Sequence, residues 1–114
     1  MSHPSIHPAN VLVMIPAYNE EAGVADVISG SKVFLPVIVV DDGSTDRTAE
    51  IAEKAGAVVI RQVPNQGKGA AMRAGFRYAL EHGYEAVITL DADRQHNPAE
   101  IPLFLERYQQ TNAD

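Results

Sequence analysis

The sequence predicts an α/β fold in which a Rossmann-like, mainly parallel sheet is flanked by helices. Three observations lead there. Short β-branched, apolar runs alternate with helical stretches along the chain. The runs are continuous rather than alternating in polarity, as in strands buried on both faces. Polar clusters at 16–20, 41–44 and 91–95 each follow such a run, and in an open parallel sheet the carboxyl ends of the strands are where ligands collect.

Residues 11–15 form the first strand, which Pro16 is expected to stop. A short helix over about 20–29 follows, with acidic residues in its first turn where the helix dipole favours them. Residues 37–40 are a second buried strand running into Asp41-Asp42-Gly43-Ser44. Ser44 or Thr45 is expected to cap a helix reaching about Ala55, with Glu50 and Lys54 as an i,i+4 pair and Gly56 as its stop. Residues 57–60 give a third strand. After the turn at 64–67, a helix over 68–81 is expected to place Ala71, Ala74, Phe76 and Leu80 toward the core, and Gly83 ends it. Residues 86–90 are the fourth strand, and Pro98 suits the first turn of a last helix over about 99–108. Residues 1–8 read as a disordered arm and 9–114 as one domain, without internal repeat or low-complexity segment.

Composition narrows the function. The chain has 114 residues, 46% hydrophobic and 21% charged, with a formal charge of −6. That balance suits a soluble globular domain and argues against nucleic acid, whose recognition rests on basic patches. Cysteine is absent, which excludes disulfides and thiolate metal sites and leans toward a reducing, cytoplasmic setting. The longest apolar stretch, 33–40, is far short of the roughly 20 residues that span a bilayer.

The most informative feature is Asp91-Ala92-Asp93, delivered straight out of the fourth strand. Two carboxylates two residues apart suit a hard divalent cation that also holds a diphosphate. Taken singly, each cluster has a plainer reading: Asp41 to Ser44 as a turn and cap, and Asp91 to Asp93 as a solvated loop. Gly67-Lys68-Gly69 fits neither the P-loop pattern nor GxGxxG, since Met72 occupies the last glycine position. His3 and His7 sit in the arm, His82 near a helix end, and His96 alone neighbours the acidic cluster.

Together, IPAYNEE, VVDDGSTDRT, NQGKGAAMRAG and LDADRQHNP, in this order over residues 9–110, resemble the nucleotide-sugar half of inverting glycosyltransferases of family two. The likeness is strongest to dolichyl- and polyprenyl-phosphate mannosyl and glucosyl transferases. It implies a truncated GT-A type domain that binds a GDP- or UDP-sugar with Mg²⁺ or Mn²⁺ and passes the sugar to a polyprenyl phosphate or another acceptor. By the same resemblance Pro16, Tyr18 and Glu20 frame the base and ribose, with Val40 and Asp42 beneath them. Asp91, Ala92 and Asp93 match the DxD segment, in which Asp93 and Gln95, with Asp91, serve the metal, and Lys68 approaches the diphosphate. Arg94 and Asn97 depart from the commonest family residues at their positions.

Family members carry a second half with acceptor contacts and, in many branches, a general base, so no catalytic base is assigned here. A piece of a longer enzyme is the expectation, working in the cytoplasm or at the cytoplasmic face of a membrane, with homodimerisation through exposed sheet edges. A binding-only nucleotide-sugar domain is the alternative. A receiver-type signalling domain needs its acidic pair after the first strand, and a haloacid-dehalogenase-like phosphatase needs Asp-x-Asp there; here the pairs follow the second and fourth strands.

Overall fold

The computed structural model describes residues 10–92. The arm at 1–8, the acidic-cluster residues Asp93, Arg94, Gln95 and His96, and the expected helix over 99–108 lie outside the described residues. Along the chain run β1 (Val11–Ala17), α1 (Val24–Lys32), β2 (Val37–Asp41), α2 (Thr48–Lys54), β3 (Val58–Arg61), α3 (Lys68–Glu81) and β4 (Ala86–Thr89). The strands form one sheet in the order β3-β2-β1-β4, and every pairing is parallel.

The two central strands explain the unbroken apolar runs. Odd-numbered side chains of β1 (Val11, Val13, Ile15) pack with α1 through Val24, Val27 and Ile28 and with α2 through Ala52. Even-numbered ones (Leu12, Met14) pack with Ile38, Val40 and, from α3, Ala71 and Ala79. Each fully buried aliphatic side chain contributes about 1.5–3 kcal/mol relative to exposure, so this two-sided burial anchors the domain. Among the described residues, β3 and β4 are the sheet edges, and no helix is long and apolar enough to cross a membrane.

Pro16 does not stop β1, which continues through it to Ala17. The Val13 amide donates to Pro36, and the Met14 carbonyl accepts from Leu90. Backbone groups alternate sides along a strand, so the Pro16 nitrogen faces β4, whose last paired residue, Thr89, sits opposite Met14. The missing N–H ends the β1–β4 ladder there while the β1–β2 ladder runs on to Ala17 opposite Asp41. Beyond the Leu90 amide, which still donates to Met14, no further β1–β4 pair forms among the described residues.

Three helix expectations need correction. The segment after Glu20 is a turn, with the Gly23 and Val24 amides donating to the Glu20 carbonyl, and α1 starts only at Val24 and runs on to Lys32. α2 starts at Thr48 rather than at Ser44 or Thr45, because the Ser44 hydroxyl is turned back to Asp41. Glu50 forms its ion pair with Arg47 (2.7 Å), Lys54 adding a further attraction. Finally, Phe76 and Leu80 do not face the core: they are 42% and 79% exposed. The buried face of α3 is Ala71, Gly75 and Ala79, and a Cβ on Gly75 would overlap the Met14 side chain. Small residues let this helix lie close to the sheet, which leaves the larger apolar ones outside. Helix ends were legible: at Gly56 and Gly83 the backbone turns left-handed (φ +96° and +77°). The amides that follow them return to Ala52 and Ala79, the arrangement that closes a helix at glycine.

Candidate functional site

The loop after β1 presents Tyr18, Asn19 and Glu20. Asn19 sits in the left-handed region (φ +52°), which asparagine adopts more readily than most residues. Its amide donates to Ser44 Oγ at 2.8 Å, and its Oδ1 accepts from the Thr45 amide at 2.8 Å. The next two amides are also taken by the loop after β2: Glu20 donates to Thr48 Oγ1 (2.9 Å) and Glu21 to Asp46 Oδ2 (3.3 Å). Burial pushes the Asp46 carboxyl up, but hydrogen bonds from the Thr48 hydroxyl and amide and the Glu21 amide outweigh it and hold it below the ordinary value of 3.8. The two loops thus form one stitched unit.

That unit is tied to the sheet through Asp41, which is fully buried at the end of β2. Its Oδ1 accepts from the Ser44 hydroxyl and its Oδ2 from Arg61 Nε at 3.2 Å. Asp42, 5% exposed, turns the other way. Its two carboxylate oxygens accept from the Gln66 amide (2.7 Å) and the Gly67 amide (2.8 Å), at the entry to α3.

Between these loops lies a cleft of about 300 Å³, at the lower end of the range for small-molecule sites. Of the residues singled out from the sequence, Pro16, Tyr18 and Glu20 line it from β1, Asp42 from β2, Lys68 from α3, and Asp91 and Ala92 from beyond β4. Val40 does not reach it. It is fully buried beneath, in the cluster that includes Ala71, and Ala71 itself lines the cleft. Tyr18 is 47% exposed, leaving a ring available for stacking on a flat heterocycle. Lys68 Nζ lies 3.2 Å from Asp91 Oδ1, both side chains partly in solvent. Ion pairs so exposed are worth only about 0–1 kcal/mol, so a stronger anion can recruit the lysine and a cation the carboxylate.

Asp91 is the described member of the expected metal set; Asp93 and Gln95 lie outside the described residues. Among the described residues no group of three His, Cys, Asp or Glu side chains is placed to hold an ion unaided. Asp91 lines the cleft, and a carboxylate is a hard oxygen donor of the kind that fits Mg²⁺ or Mn²⁺. Sequence reasoning missed the part that Asn19, Asp41, Ser44, Asp46, Thr48 and Arg61 play in holding the loops. Asn19 lay inside a motif already singled out, but nothing local says that its side chain accepts backbone hydrogen bonds from residues more than twenty positions away.

Comparison with known proteins shows the family and the fold. Residues 12–114 match the model of glycosyl transferase family 2. Undecaprenyl-phosphate mannosyltransferase of Micrococcus luteus is 36% identical over 104 residues, covering 84% of this chain and 43% of the relative. Undecaprenyl-phosphate 4-deoxy-4-formamido-L-arabinose transferase of Pseudomonas aeruginosa is 39% identical over 110 residues, covering 85% and 32%. Glucosyl-3-phosphoglycerate synthase from Mycobacterium tuberculosis, solved with Mn²⁺, UDP-glucose and phosphoglyceric acid, superposes with a TM-score of 0.76 at 28% identity, covering 96% of this chain and 41% of that one. The same enzyme is also solved with Mg²⁺ and UDP. The chain spans less than half the length of each of these relatives. With its parallel sheet, its cleft at the strand ends and a family match over nearly all its length, the chain belongs to glycosyl transferase family 2.

Proposed function

We propose that the cleft binds the nucleoside-diphosphate half of a sugar nucleotide together with a divalent cation, and that this chain supplies the donor site of an inverting glycosyltransferase. The observation that carries this is the convergence of Tyr18 and Glu20, Lys68, and Asp91 on one cleft from three separate segments of the chain. Tyr18 offers a face to the base, and Glu20 a carboxylate to the ribose hydroxyls. Lys68 supplies the cation on the diphosphate side. Asp91, with Asp93 and Gln95, would hold Mg²⁺ or Mn²⁺, whose chemistry is to neutralise negative charge on a departing nucleoside diphosphate.

The acceptor belongs to the whole protein. The relatives named above point to a polyprenyl phosphate, which is already anionic and needs no strong base, so a site without an assigned base is consistent with it. Such an acceptor would place the longer protein at the cytoplasmic face of a membrane, with this domain in the cytoplasm.

A thermal-shift panel tests donor binding. UDP- and GDP-hexoses with Mn²⁺ should raise the melting temperature through preferential binding to the folded state, and phosphomonoesters or acetyl phosphate should not. A shift with phosphomonoesters alone would refute the donor-site reading.

A further inference from the structure

We propose that Thr48 is a positioning residue: its hydroxyl holds the backbone of Glu20, and so sets where the Glu20 carboxylate meets the ribose of the donor nucleotide. This rests on the donor-site reading above. Thr48 is fully buried at the start of α2 and does not line the cleft. Its Oγ1 nonetheless accepts the Glu20 amide at 2.9 Å, across 28 positions of sequence. The Glu20 carbonyl accepts the Gly23 and Val24 amides, at 3.1 and 3.0 Å, where the chain enters α1. The Glu20 backbone is thus pinned between the starts of two helices, and from there Glu20 lines the cleft.

A hydroxyl presents a lone pair to such an amide when its own hydrogen is directed elsewhere. Asp46 takes that hydrogen: its Oδ1 accepts both the hydroxyl and the backbone amide of Thr48, the turn that an aspartate forms with the residue two positions on. Its other oxygen, Oδ2, accepts the Glu21 amide at 3.3 Å. Asp46 and Thr48 together therefore offer two acceptors to two consecutive amides of the loop after β1. Arg47 makes no side-chain cap for α2, so the same pair also closes the start of the helix on which Thr48 sits. Burial makes the contact exacting. A valine would keep the branched shape, yet leave the Glu20 amide without this acceptor and Asp46 with one donor fewer; a serine would keep both bonds. The Tyr18 side of the loop is held separately, since Asn19 is fastened to Ser44 and Thr45, so Thr48 acts on the ribose end of the nucleoside and not on its base.

The test titrates UDP and GDP, and their 2′,3′-dideoxy analogues, into the full chain in Mn²⁺, for wild type, Thr48→Val, Thr48→Ser, Glu20→Ala and the double variant Thr48→Val with Glu20→Ala. Expected in Thr48→Val is a loss of about tenfold in affinity for the ribonucleotides, the lower end for a lost hydrogen bond to a charged group, and of less than about twofold for the dideoxy analogues. Thr48→Ser should stay within about threefold of the wild type, and Thr48→Val should add little in the Glu20→Ala background, as coupled residues behave. Binding of the dideoxy analogues also reports that each variant is folded. Equal losses for both classes of ligand, a serine variant as weak as the valine, or losses that multiply independently in the double variant would overturn the proposal. Amide hydrogen exchange reads the clamp without ligand. The Glu20 amide should be protected in the wild type and in Thr48→Ser, and exchange at least about tenfold faster in Thr48→Val, while amides of β1 and β2 hold. An unprotected Glu20 amide in the wild type would remove the clamp itself, whatever the variants bind. A wild type that binds no nucleoside diphosphate, or binds the dideoxy analogues as tightly as the ribonucleotides, would instead remove the donor-site reading, and this proposal with it.

Discussion

Replacing Arg61 by alanine should destabilise the chain by about 2 kcal/mol, more than the loss of an exposed ion pair. The Arg61 side chain is 50% exposed, but that of its partner Asp41 is fully buried, at 3.2 Å. Exposed pairs are worth about 0–1 kcal/mol, and stripping one partner from a fully buried pair costs about 3–5 kcal/mol because a charge is left without compensation. Here the arginine can rehydrate and the aspartate cannot, keeping, among the described residues, only the Ser44 hydroxyl, which sets the expectation between those limits. The carboxylate carries the cost, so adding Asp41→Asn to Arg61→Ala should recover about 1 kcal/mol by removing the stranded charge. Urea unfolding of wild type, both single variants and the double variant, analysed by linear extrapolation, measures this. A loss below about 0.5 kcal/mol for Arg61→Ala, or a double variant equal to the sum of the singles, would refute the reasoning.

Two further outcomes concern regions the sequence misjudged or missed. The Asp46 carboxyl is held below its ordinary value of 3.8, so its contribution is present above that value and is lost as pH falls through the folded one. The stability gap between wild type and Asp46→Asn should therefore be constant from neutral pH down to about pH 5 and shrink below about pH 4; a gap unchanged in acid would contradict the hydrogen-bond assignment. Leu80 is 79% exposed, so Leu80→Gln should shift the urea midpoint by no more than about 0.5 kcal/mol equivalent, and a loss of about 2 kcal/mol or more would return it to the core.

The elements legible in the sequence were those that local chemistry decides. Buried parallel strands need unbroken apolar runs, and 11–15 and 37–40 had them; Gly56 and Gly83 end helices because they accept a left-handed backbone. What was not legible depends on partners. Pro16 stays in β1 because its neighbours Ile15 and Ala17 keep the ladder to β2, which no local rule announces. Ser44 does not cap α2 because Asp41 and Asn19 claim its hydroxyl. Hydropathy chose Phe76 and Leu80 for the inner face of α3, whereas close approach to Met14 selects Ala71, Gly75 and Ala79. The site shows the same division. The cleft-lining side chains stand beside strand ends that the sequence located, while Asn19, Asp41 and Arg61, which hold them, act through contacts distant in sequence.

The most direct measurement is calorimetric titration of the full chain with UDP and GDP, with and without Mn²⁺, against Asp93→Ala, a position outside the described residues. Binding to the wild type should depend on the metal, and the substitution should weaken it by at least about 1.5 kcal/mol, the lower end for lost hydrogen bonds to a charged group. Equal affinity for both proteins, or binding indifferent to Mn²⁺, would contradict a shared site for cation and pyrophosphate at the ends of β1, β2 and β4.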